Sequence, residues 1–103
     1  MNKSMIRMVF KDYARREKVI QEGKCPSVML VAYRYMNEVI DEELASAYSR
    51  TRCYAPQFDE MMKSDISYGV PYEHSYLNEN MSRSTYNKLK RFVIDGVTKR
   101  LAL

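Results

Sequence analysis

Glycine and proline are scarce in this chain, which has only three of each among its 103 residues. So few turn-forming residues disfavour a β-sandwich or barrel and favour long helices. Tryptophan is absent, histidine occurs once (His74), and the two cysteines, Cys25 and Cys53, lie far apart. These residues form no familiar zinc-binding pattern and no Ser-His-Asp or Cys-His catalytic set, and there is no glycine-rich phosphate-binding loop. We therefore predict that the protein is not an enzyme and needs no metal or cofactor.

Long apolar runs are also missing. No segment approaches the roughly 18 apolar residues of a membrane-spanning helix. The first ten residues are too mixed for the apolar core of a signal peptide. We therefore expect a cytoplasmic protein that has no membrane contact. In that reducing compartment, Cys25 and Cys53 are expected to be buried free thiols.

Charge is distributed unevenly along the chain. The net charge of +4 divides into +4 for residues 1–24, −5 for residues 25–81 and +5 for residues 82–103. A basic C-terminal segment beside an acidic body suits a partner with phosphates at one end and a protein at the other. A solvated helix face would give the same pattern, so charge alone does not decide the function.

Apolar side chains recur every three or four residues in three long segments, which is the spacing of an amphipathic helix. Gly23 is suited to a left-handed C-cap, and Ser82 to an N-cap. The pattern predicts long helices over residues 3–22, from Pro26 to about Tyr48 and from Ser82 onward, with short helices over 58–66 and 71–78.

The predicted fold is all-α, with about five helices. The first two long helices should pack antiparallel as a hairpin, because their link is short. Residues 1–57 would form this hairpin, as an interaction or oligomerisation region, and residues 58–103 a C-terminal helix-turn-helix, together making one compact domain. The expected core includes Phe10, Tyr13, Met36, Ile40, Leu89 and Val93.

The segment from Asn80 to Arg91 carries the functional prediction. A short helix, a turn and then Ser-Arg-Ser-Thr opening a basic amphipathic helix is the order of a helix-turn-helix. Short polar side chains in the first turn let a helix approach the major groove, where arginine can contact guanine and asparagine adenine. Basic side chains further along can contact phosphates. The predicted DNA-binding residues are Ser82 and Ser84 at the close approach, Arg83 and Asn87 on bases, and Lys88, Lys90 and Arg91 on phosphates.

The run from Gly69 to Leu101 resembles the C-terminal region of small phage and prophage transcriptional regulators of the ArpU, RinA and LtrC type. The family usually has aliphatic residues where this chain has Ser75 and Glu79, and a small residue where it has Tyr76. The resemblance implies a promoter-binding helix-turn-helix similar to that of sigma factors, in an activator of late or packaging genes. The matching pieces cover about a third of the chain and are Gly69, Tyr72-Glu73, Met81-Ser82-Arg83-Ser84-Thr85-Tyr86 and Leu89-Lys90-Arg91.

We therefore expect a sequence-specific DNA-binding transcriptional regulator, a late-gene activator that acts with RNA polymerase in a bacterial host cell. Its partners would be double-stranded DNA and, through the acidic middle region, RNA polymerase or another protein; a homodimer is left open. The alternative is a small phage or mobile-element interaction module that binds a host or regulatory protein without contacting DNA. Salt-dependent DNA binding separates the two hypotheses, since only the first predicts it.

Overall fold

The described part of the chain, residues 3–103 of a computed structural model, is mainly helical and contains no strand. The all-α prediction is therefore confirmed. Two short 3-10 turns, Tyr72–His74 and Tyr76–Glu79, separate the last two α-helices. The α-helices are α1 (Lys3–Lys11), α2 (Tyr13–Gln21), α3 (Ser27–Ser49), α4 (Phe58–Tyr68) and α5 (Arg83–Arg100).

The N-terminal helix, predicted as one piece, is interrupted at Asp12 and becomes α1 and α2. The two pieces pack against different neighbours: α1 lies along α4, whereas α2 lies along α3. At the interruption, the buried Arg16 side chain donates a hydrogen bond from Nη2 to the Val9 carbonyl at 2.6 Å. Arg16 thus links the two pieces across the bend.

The helices pack as antiparallel neighbours. The hairpin of α2 and α3 is marked by hydrogen bonds from Tyr13 to Asp41 and from Arg16 to Asn37, so that residue numbers rise on one helix as they fall on the other. Helix α5 returns along α3, and the Tyr35 hydroxyl donates to the carbonyl of Arg100 at 3.3 Å. The C-terminal end of α5 therefore lies level with Tyr35.

A single apolar cluster, with buried members from α1, α3, α4 and α5, fills the space between the helices. Four of the six predicted core residues are buried; Tyr13 and Met36 are half-buried at its edge instead. Both cysteines are free, but each is half-buried, so the prediction that they are buried was wrong. The buried members of the predicted set are Phe10, Ile40, Leu89 and Val93.

The short α-helix predicted over residues 71–78 is wrong, because two 3-10 turns take its place. Ser75 separates them in an extended conformation (φ −82°, ψ 139°), and its hydroxyl accepts a hydrogen bond from the Leu77 amide as an N-cap. The same hydroxyl donates to the Asp65 carboxylate of α4 at 2.5 Å. These two bonds favour the break over a continuous helix, because serine satisfies backbone groups better at a cap than inside a helix.

Two glycines end helices in the left-handed conformation, Gly23 at φ +67° and Gly69 at φ +65°. The first confirms the C-cap predicted from the sequence. A Cβ at Gly23 would meet open space, whereas a Cβ at Gly69 would meet the Arg7 guanidinium.

Alanine at either glycine should therefore lower the free energy of unfolding by about 1 kcal/mol through backbone strain, and Gly69→Ala should cost more than Gly23→Ala. Urea denaturation measures both. In an Arg7→Ala background, the two substitutions should cost the same. A neutral Gly69→Ala variant would contradict this account.

Candidate nucleic-acid interface

The outward side of α5 carries a row of polar and basic side chains. We call Ser84, Asn87, Lys88 and Arg91 the outer stripe; their spacing of three and four residues places them on one side of the helix, and all four are exposed. The stripe contains no acidic residue, and the first one to follow along α5 is Asp95. The helix begins as predicted, since the Ser82 hydroxyl accepts from the Thr85 amide at 3.2 Å.

Arg83 is exposed, but it faces the preceding turn and not the outer stripe. Its guanidinium pairs with the Glu73 carboxylate and lies 5.3 Å from the centre of the Tyr72 ring. A base or phosphate would have to displace Glu73 to reach the whole guanidinium. The predicted base contact at Arg83 thus competes with an ion pair inside the protein.

Lys90 is half-buried beside α5, away from the outer stripe. Its ammonium donates to the Val70 carbonyl at 2.6 Å and lies 3.4 Å from the Tyr86 hydroxyl. Burial lowers the pKa of Lys90 from its ordinary value. In this position Lys90 holds the turn at Val70 against α5. Lys88 and Arg91 are therefore the remaining candidates for phosphate contacts on α5.

A buried polar cluster fixes the start of α5, and sequence reasoning missed it. The Tyr86 hydroxyl donates to the Asp65 carboxylate at 2.8 Å, and Ser75 donates to the same carboxylate oxygen. Burial and the Asp65 carboxylate raise the pKa of the Tyr86 phenol above its ordinary value, so the phenol keeps its proton and remains a donor. The cluster joins α4, the 3-10 turns and α5 into one support for the outer stripe.

One flank of the outer stripe gains a cation from the loop after α3. The Arg50 guanidinium lies 4.2 Å from the centre of the Phe92 ring, which fixes its place by a cation–π contact. Arg50, Thr85 and Lys88 share an open cleft of about 320 Å³. Apart from the Phe92 contact, Arg50 has no ion pair or side-chain hydrogen bond with the described residues.

The opposite flank carries cations from α1. Phe92 and Ile94 are two residues apart and so point about 200° apart around the helix axis. On the Ile94 side, Lys3, Arg7 and Lys90 line a cavity of about 210 Å³ together with three isoleucines. Within residues 3–103, neither Lys3 nor Arg7 makes an ion pair. The outer stripe thus lies between Arg50 on one flank and Lys3 and Arg7 on the other, all supplied by other elements.

The described residues contain no group of three or more histidine, cysteine or acidic side chains that could hold a metal ion. Across residues 3–103, no helix has the length and apolar character needed to cross a membrane. No protein-family model, curated protein or solved structure matches the chain.

Proposed function

We propose that the protein binds double-stranded DNA through α5 and regulates transcription, as a phage or prophage late-gene activator acting with host RNA polymerase. The observation that carries the proposal is the outer stripe, free of acidic residues as far as Asp95, with cations from other elements on both of its flanks. The flanking cations come from residues far apart in the sequence, Arg50 on one side and Lys3 and Arg7 on the other. A solvated helix face does not require cations from other elements to gather beside it.

The shape of DNA explains why cations on both flanks matter. The major groove is about 12 Å wide and admits one α-helix, with a phosphate backbone on each side. With α5 in the groove, Asn87 faces the base edges and Ser84 permits a close approach. Lys88 and Arg50 then face one backbone, and Arg7 and Lys3 face the other. Arg83 joins the base contacts when it exchanges Glu73 for DNA.

The acidic surface of α3 lies away from α5's outer stripe and is the proposed contact with RNA polymerase. Some acidic side chains of this surface already have partners within the protein: Asp41 accepts a hydrogen bond from Tyr13, and Glu42 forms an ion pair with Arg100 at 3.3 Å. Glu38 is exposed, and the structure gives it no ion pair with another described residue. The alternative interaction module would use the same acidic surface and would bind no DNA.

Fluorescence anisotropy with a labelled duplex from the region upstream of the regulated genes tests the proposal. The logarithm of the wild-type affinity should fall linearly with the logarithm of salt concentration. Arg91→Ala should weaken specific and scrambled duplexes equally and make the salt slope shallower by about one unit. Lys18→Ala, an exposed charge change on α2, is the matched control and should leave the slope unchanged. A wild-type protein without DNA affinity at low salt would favour the interaction module.

In the same assay, Arg83→Ala and Glu73→Gln should act in opposite directions. Loss of Arg83 should cost about 1–3 kcal/mol on the specific duplex and relax the preference at one base pair. Glu73→Gln removes the competing carboxylate and should strengthen binding by up to about 1 kcal/mol, the usual range of an exposed ion pair. If Glu73→Gln also weakens binding, Arg83 does not reach the DNA.

A further inference from the structure

The side of α3 that α5 covers continues, uncovered, beyond the end of α5. From Tyr35 toward the start of α3, the side chains are apolar but exposed: Val28 is 87% exposed and Val31 75%. Ala32 is also exposed, and Tyr35 is 44% exposed. We call these four residues the α3 patch. Their positions 28, 31, 32 and 35 fall on one side of the helix.

A contiguous apolar patch of this kind on a well-formed helix marks a surface that another molecule covers. Single exposed apolar residues are common on protein surfaces, but here they succeed one another over two helical turns. The inner side of the same segment is partly covered, since Leu30 and Tyr33 are half-buried and α2 packs against α3. The patch is therefore a second, outward apolar side of α3.

We propose that a second copy of this chain covers the α3 patch, with the two α3 helices antiparallel about a two-fold axis between residues 31 and 32. In this register Val28 lies opposite Tyr35 of the second copy, and Val31 lies opposite Ala32. Every member of the patch then meets another member, as an interface between identical surfaces requires.

Side-chain charge fits the register. Glu38 is exposed and continues the line of the patch, so in this register it lies opposite the turn that precedes Ser27 in the second copy, and that turn contains Lys24. Lys24 is exposed and lies 3.3 Å from Glu22 in its own chain. A lysine at each end of the interface would therefore find a second acidic partner in Glu38.

Sedimentation equilibrium without DNA tests the dimer. The average mass should rise with concentration from 12.2 kDa toward twice that value. Val31→Glu puts two carboxylates together at the two-fold axis and should raise the dimer dissociation constant about 100-fold or more. Tyr76→Glu changes a residue that is 80% exposed on the second 3-10 turn and should leave the constant unchanged. Thermal melting of monomeric Val31→Glu should stay cooperative, because Val31 packs little within its own chain.

A charge exchange tests the register. Glu38→Lys and Lys24→Glu should each raise the dissociation constant about three-fold, and the two together should restore it, because only the antiparallel arrangement places these residues side by side. A mass of 12.2 kDa up to about 0.5 mM would overturn the proposal. So would a dimer that Val31→Glu leaves intact. Neither result bears on DNA binding, which is measured separately.

Discussion

Replacing Asp65 with leucine should lower the free energy of unfolding by about 3 kcal/mol, because two buried hydroxyl groups would lose their shared acceptor. Ser75 donates to Asp65 at 2.5 Å and Tyr86 at 2.8 Å, and both donors are buried. Tyr86 would keep the Val70 carbonyl at 3.1 Å, whereas the hydroxyl of Ser75 would have no replacement acceptor in this structure. Urea denaturation measures the loss.

The matched control is Asp65→Asn, which keeps the shape of the side chain and one oxygen that can accept both hydrogen bonds. It should cost less than about 1 kcal/mol. Asp65→Leu should also lower the DNA affinity more than Asp65→Asn does, because the cluster holds the start of α5 against α4. If asparagine costs as much as leucine, the negative charge of Asp65 matters more than its hydrogen bonds to Ser75 and Tyr86.

Local sequence signals predicted the helix ends well. Ser82 and Gly23 act as the N-cap and C-cap expected of them, because capping depends on hydrogen bonds and backbone angles within a few residues. The periodicity of apolar residues likewise predicted α3 and α5 to within a few residues. These features require no knowledge of which helices become neighbours.

Contacts between distant residues explain what the sequence did not reveal. Ser75 divides the predicted short helix partly through Asp65, ten residues away in the chain. Arg16 looks like a surface residue of an amphipathic helix, yet it is buried because Asn37 and the Val9 carbonyl accept its hydrogen bonds. The sequence does not indicate such partners for a charged side chain, because they come together only when the helices pack.

Only part of the candidate interface could be predicted from the sequence. The basic character of α5 and the exposure of Asn87 and Arg91 follow from the sequence pattern alone. The flanking cations do not, since Arg50 approaches through Phe92 and Arg7 through the packing of α1 near α5. Lys90 shows the converse: its position in the sequence indicates a phosphate contact, but the fold directs its ammonium to Val70.

Asn37→Leu should lower the free energy of unfolding by about 3–5 kcal/mol, since it leaves a buried guanidinium without its main side-chain acceptor. Arg16 donates from Nε to the side-chain oxygen Oδ1 of Asn37 at 2.7 Å, and only 2% of the Arg16 surface is exposed. Burial lowers the pKa of Arg16 from its ordinary value, but an arginine retains its charge near neutral pH. Urea denaturation at pH 7 measures the effect.

Arg16→Met supplies the control, because methionine fills much of the same space and removes the buried charge. It leaves only two neutral oxygens unpaired, the side-chain Oδ1 of Asn37 and the Val9 carbonyl, and should cost about 1–2 kcal/mol. Adding Asn37→Leu to Arg16→Met removes only the hydrogen bonds from the Asn37 amide to Glu17 and to the Tyr13 carbonyl and should cost about 1–2 kcal/mol more. The double variant should therefore still be more stable than Asn37→Leu alone. If the two losses simply add, the cost of Asn37→Leu comes from leucine packing and not from an unpaired Arg16.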